Sequence, residues 1–253
     1  MSEILYETRD GITVITINRP EQRNAINHAV REGLREAWKK FEADASARVA
    51  ILTAAGDKAF SAGMDLKEAA QMQMGLMPRD FIPILGDSAV VSKPVIAAVN
   101  GYAIAGGFLF AQMCDMCVAS TNATFAVSEV KVGRGVPWAV PLAYMIPQKV
   151  MLELLLTGAP ITAQRAYEIG LVNHVVAPAQ LMPKAMELAR LIVAGAPLTV
   201  KAARQIVREA TERGRSAALD RAYEIFKPVY ESEDAIEGPR AFAEKRAPNW
   251  KGR

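Results

Sequence analysis

The chain has 253 residues, 51% of them hydrophobic and 23% charged, and a formal net charge of +3. This length can bury a sizeable core in one large domain, or one domain with an appendage, and this composition excludes a disordered chain. The charge is too small to point to nucleic acid, the longest apolar runs are too short or too broken by Gly to span a bilayer, and two cysteines build no disulfide framework, which fits a reducing cytoplasm.

In chain order, the N-terminus M-S-E-I-L-Y-E lacks the basic start and apolar stretch of a signal peptide. Ile12–Ile17 reads I-T-V-I-T-I, a β-branched run ended by the turn residues Asn18-Arg19-Pro20. Residues 25–41 place Ile26, Val30, Leu34, Ala37, Trp38 and Phe41 at helical spacing, with Arg31, Glu32, Arg35 and Lys39 on the other face. Val49–Thr53, Pro94–Val99, Met116–Ala119 and Val172–Val176 are further short strands. Residues 71–93 are Met-rich and irregular and are expected to form a flexible helical flap. Thr162 caps a helix that stops at Gly170. From Pro183 onward only helices are predicted, over 184–194, 199–213, 216–227 and 234–245, the last opened by a capping box with Asp234 as the cap and Glu237 three residues on. Strand–helix alternation followed by a helical tail predicts an α/β body with a segment that packs on it or on another subunit.

Two segments carry chemistry. Lys58–Lys67, with F-S-A-G-M-D-L-K at 60–67, follows a strand and turns at Gly63 into a helix, leaving backbone N–H groups free to bind an oxyanion. Read on its own, it is more readily a plain strand-to-helix turn with Gly63 as its hinge. Residues 93–107 end a buried strand at Asn100-Gly101 and open an apolar helix with Ala105-Gly106-Gly107. Small residues there let a ligand approach the backbone and place developing negative charge at a helix start, or serve close helix packing. The glycine order is not the dinucleotide fingerprint.

These segments, with K-P-V-I-A-A-V-N-G-Y-A at 93–103, L-T-G at 156–158, I-T-A-Q-R-A-Y-E-I-G-L-V at 161–172 and A-F-A-E-K-R at 241–246, resemble the crotonase (enoyl-CoA hydratase/isomerase) superfamily over nearly the whole chain. The resemblance implies a spiral of ββα units over residues 1–195 and a helical trimerisation region over 196–253. It implies a homotrimer or a hexamer of two trimers, no cofactor, no metal, and an acyl-CoA thioester as substrate. Met64 and Gly106 would donate their N–H groups to the thioester oxygen, each donor worth about 3–4 kcal/mol in the transition state. The coenzyme A handle would lie along Asn18–Ile26, with Arg23 and Ala25, and along Ala62, Asp65 and Lys67; Phe242 and Lys245 would reach the nucleotide, from a neighbouring subunit if the tail crosses over.

The pattern breaks at the first of the two glutamates with which hydratases hold water: Leu109 stands there and can neither accept a proton nor orient water. The second matches Glu129, whose apolar flanks predict a raised pKa useful for proton transfer, or which pairs with Lys131 or Arg134 as a turn carboxylate. Pro137 occupies the position where dienoyl-CoA isomerases carry an aspartate, and Trp138 with Leu109 makes the acyl pocket apolar. One carboxylate and an oxyanion hole imply Δ3–Δ2 isomerisation of an enoyl-CoA. Hydration, decarboxylation, thioester hydrolysis and non-catalytic acyl-CoA binding stay open. Cys114 and Cys117 read as buried small hydrophobes rather than a redox pair.

Overall fold

The computed structural model describes residues 2–72 and 77–253. Its two sheets grow together along the chain. Strands β1 (Ile4–Arg9), β2 (Ile12–Ile17), β3 (Val49–Ala54), β5 (Val95–Val99), β7 (Met116–Ser120) and β10 (His174–Val176) form a six-stranded sheet in that order, antiparallel only between β1 and β2. Strands β4 (Ala59–Ser61), β6 (Tyr102–Ile104), β8 (Thr124–Ala126) and β9 (Ile161–Thr162) form the second sheet, parallel except between β8 and β9. The chain thus lays one strand in each sheet per turn, β3 then β4, β5 then β6, β7 then β8. This is the expected α/β spiral of ββα units.

Helix α1 (His28–Ala43) follows β2; its cap is Asn27, whose side chain accepts from Val30 N, so it begins later than the apolar spacing from Ile26 suggests. Helices α2 (Leu66–Gln71) and α3 (Gly106–Gln112) follow β4 and β6. Beyond β8 come 3-10 turns at Ser128–Val132 and Pro137–Ala139, then α4 (Leu142–Met145), α5 (Gln148–Thr157) and α6 (Ala163–Glu168), the last capped by Thr162 as expected. The tail is α7 (Leu181–Ala194), α8 (Pro197–Glu212), α9 (Arg215–Tyr230) and α10 (Glu233–Ala243). Pro183 lies in the first turn of α7, where its missing N–H costs nothing.

All residues of β3 and β5 are buried because both faces of the first sheet are covered. Ala50 and Leu52 face the core under α1 and the second sheet, whereas Val49, Ile51, Ile96, Ala98 and Val118 meet Leu181, Ala185 and Ala189 of α7. The expected boundary at 195/196 falls in the turn between α7 and α8, and α8 is tied back to the body of its own chain. The Arg204 guanidinium pairs with Asp115 at 2.7 Å and donates to Val91 O, while Asp115 also accepts from Val95 N.

Two expectations are corrected. Ser232, not Asp234, caps α10: its hydroxyl accepts from Ala235 N. The Asp234 carboxylate instead accepts from Lys251 N and Gly252 N, which fixes the C-terminal segment, and Glu237 pairs with Arg246. The flap is helical only through Gln71; residues 73–76 lie outside the described residues, and 77–93 carries no helix. That stretch is anchored by Arg35 donating to Asp80 O and by the Ser88 hydroxyl, which bonds Ile82 O and Ile84 N.

Candidate active site

The turn after β2 is the first part. Arg23 and Asn24 both adopt left-handed backbone, and buried Asn24 holds the turn shut by donating to Ala55 O and Ala59 O and accepting from Arg19 N. From this turn three backbone bonds lace the F-S-A-G segment: Ala62 N to Arg23 O, Ile26 N to Gly63 O, and Asp65 N to Ile26 O. The trans peptide then dictates the next step. With the Gly63 carbonyl turned to Ile26, the Met64 N–H on the same peptide plane must point the other way.

On that other side lies the start of α3. A Cβ on Gly63, whose φ is +85°, would stand 2.9 Å from Ile104 O and 3.4 Å from Gly106 N. A Cβ on Gly107 would stand 2.2 Å from Ser61 O. The glycines let α3 pack against β4, and that packing brings Gly63, the residue before Met64, against Gly106. Ala105 enters α3 at φ 53° and ψ −117°, a conformation costing about 1–3 kcal/mol in a non-Gly residue. It is held by Ala105 N to Ala126 O and Leu109 N to Ala105 O. Gly106 is the first helical residue, so its N–H has no intrahelical acceptor. Among the described residues neither Met64 N–H nor Gly106 N–H is bonded to a protein acceptor. Two neighbouring free N–H groups can polarise one carbonyl oxygen.

Among the described residues, Asp65, Glu68 and Asp115 are all engaged by cations, whereas Glu129 keeps one oxygen without a partner. Asp65 caps α2 through Lys67 N and pairs with Arg19 at 3.1 Å; burial raises its pKa, but those bonds outweigh it and hold the group below the usual carboxylate range. Its side chain is thus engaged by the fold. Glu68 pairs with Arg31, and Asp115 with Arg204. Glu129 remains. It sits in the turn Ser128–Val132, 9% exposed, with Oε2 buried and unbonded among the described residues. Burial pushes its carboxyl above the ordinary range, against the opposing pull of its own N–H and of the Trp138 side chain. Lys131 is exposed and forms no ion pair with it among the described residues. Such a carboxylate is a stronger base than one in water.

Trp138 is half-buried on Phe108 of α3, ring centroids 6.1 Å apart, and Gln112 Nε2 donates to Trp138 O at 3.0 Å. Leu109, on the same helix, is 1% exposed within the main core. Arg23 and Lys67 are exposed, and Ala25 and Ala62 are partly so, at the rim formed by the laced segments. Phe242 and Lys245 are not brought into this group: they lie at the end of α10, and Phe242 is 87% exposed. Cys114 and Cys117 are free and buried, and burial raises both thiols, Cys117 to about 12, so neither is a reactive thiolate. Arg19 reads from the sequence only as a turn residue, and Asn24 only as part of the Asn18–Ile26 span; Gln112 was not singled out. Yet Gln112, a lone polar residue in an apolar helix, carried a local signal.

Comparison with known proteins decides the family. The enoyl-CoA hydratase/isomerase family model matches residues 7–253. The chain belongs to this family. It is an enzyme of the family, with the crotonase fold. It is similar to carnitinyl-CoA dehydratase of Salmonella typhi, 43% identical with all of both chains covered. Among solved structures it is similar to enoyl-CoA hydratase from Mycobacterium tuberculosis H37Rv, 40% identical with a TM-score of 0.92, again over all of both chains. A probable enoyl-CoA hydratase/isomerase from Mycobacterium abscessus is 39% identical with a TM-score of 0.87, covering 100% of each chain. No described helix is long and apolar enough to cross a membrane.

Proposed function

We propose that the protein moves the double bond of a 3-enoyl-CoA to the 2 position. The thioester oxygen accepts from Met64 N–H and Gly106 N–H. Glu129 takes a proton from the α carbon, the negative charge spreads onto that oxygen, and Glu129 returns the proton at the γ carbon as the double bond shifts. Nothing is gained or lost overall. The observation that carries this reading is Leu109, buried where a second carboxylate would hold water, together with Glu129, a buried carboxyl whose Oε2 has no partner among the described residues. Leu109 and Trp138 keep the acyl pocket apolar. Arg23, Ala25, Ala62 and Lys67 lie where the coenzyme A handle would run. Phe242 and Lys245 would meet the nucleotide across a subunit boundary in a homotrimer or a hexamer of two trimers. In that assembly residues 1–195 are the catalytic body and 196–253 the trimerisation region, and the working compartment is the cytoplasm.

Hydration of a 2-enoyl-CoA, or its reverse, is the second reading, favoured by the names of the similar hydratases and dehydratase. Leu109→Glu separates the two. If the pocket otherwise suits water, the variant gains hydratase activity on 2-enoyl-CoA while isomerisation falls. If wild type already hydrates and the variant gains nothing, water is held elsewhere and the isomerase reading is wrong.

A further inference from the structure

Arg31 breaks the pattern of α1. Helical periodicity assigns it to the solvent face with Glu32, Arg35 and Lys39, yet it is only 3% exposed. Its guanidinium pairs with Glu68 of α2 at 2.6 Å, lies 4.0 Å above the Phe81 ring, and directs Nη1 at Met64 Sδ, 3.9 Å away. Glu68 in turn accepts from His28 N, the first amide of α1. Phe81 precedes Ile82, whose Cδ1 lies 3.8 Å from where a Cβ on Gly106 would be. One buried cation thus joins four pieces of chain that surround the two free N–H groups.

Burying an ion pair rarely stabilises a fold more than apolar packing does, so general stability is a poor reason for a guanidinium here. What it offers is direction: a planar group that stacks on one face and bonds at its edge fixes its partners' relative placement. We propose that Arg31 is a positioning residue that holds Met64, α2 and the Phe81–Ile82 segment in register, so that the Met64 N–H and Gly106 N–H meet the same thioester oxygen. The inference rests on the reading that those two groups polarise the thioester.

A saturated acyl-CoA carrying carbon-13 at its thioester carbonyl tests both, by the infrared carbonyl stretch of the bound ligand. Wild type is expected to shift the band to lower frequency. In Arg31→Met most of that shift is lost and turnover of 3-enoyl-CoA falls about 10²-fold, as for a misplacement of roughly 1 Å, while affinity for free coenzyme A is unchanged. Arg31→Lys, which keeps the charge facing Glu68 but not the planar stack, falls between. If Arg31→Met does not fold, Arg31→Lys and Glu68→Gln carry the test. A wild-type shift that persists in every folded variant, with turnover intact, would make Arg31 merely structural and overturn the inference. No shift in wild type would instead overturn the reading on which it rests.

Discussion

Glu129→Gln is expected to lower turnover of 3-enoyl-CoA by about 10²–10⁴-fold, the usual worth of a positioned general base, while leaving acyl-CoA binding in place. The same substitution should stabilise the fold at neutral pH. Burial raises the Glu129 pKa in the folded state, so the native protein favours the protonated form. The stability this contributes is full below the unfolded pKa and is lost as pH rises through the folded one. At neutral pH the native carboxylate is therefore a burden, which a neutral amide of the same shape removes. Activity runs the opposite way: it requires the carboxylate form, so turnover should rise with pH through this raised pKa and then level off. Thermal unfolding and a pH–rate profile of the wild type and Glu129→Gln check both halves. Unchanged activity in the variant would remove Glu129 from the mechanism.

Gly107→Ala should cost both stability and activity. Its Cβ would meet Ser61 O at 2.2 Å, a backbone atom of β4 that cannot swing aside, so α3 must move away from the strand leading to Met64. We expect a loss of about 1–3 kcal/mol or more in unfolding free energy, and roughly 10²-fold in turnover of the folded fraction as the two N–H groups part. Gly106→Ala is the contrasting case. There the added Cβ meets Ile26 Cδ1 at 2.6 Å, the movable end of a side chain, so stability should hold better while the crowded site loses activity. Equal stability losses in the two variants would mean that α3 does not rest on β4 in this way.

What was legible from sequence follows from range. The strands of the first sheet with β-branched or apolar runs stand out because five or six such residues in a row have few other uses. Strands β4, β6, β8 and β9 do not, since A-F-S, Y-A-I, T-F-A and I-T each derive their strand character from a neighbour one turn of the spiral away. The same limit hid Arg31. Its position on α1 reads as solvent, and only Glu68 and Phe81, brought over by the second sheet and the segment after α2, explain its burial. The glycine segments were readable because their spacing matches a family, and so was the loss of a carboxylate at Leu109. Asp234 misled for a local reason: Ser232, two residues earlier, offers the same capping chemistry, and the tail at Lys251-Gly252 claims the aspartate.

The central claim is that one carboxylate and two backbone donors move a double bond without adding water. A paired assay of the purified enzyme, offering 3-enoyl-CoA and 2-enoyl-CoA and following products by mass, tests it directly. Conversion of the 3-enoyl thioester with no change of mass, and no gain of water on the 2-enoyl thioester, is the expected result. Ready addition of water to 2-enoyl-CoA, with the 3-enoyl thioester left untouched, would contradict it.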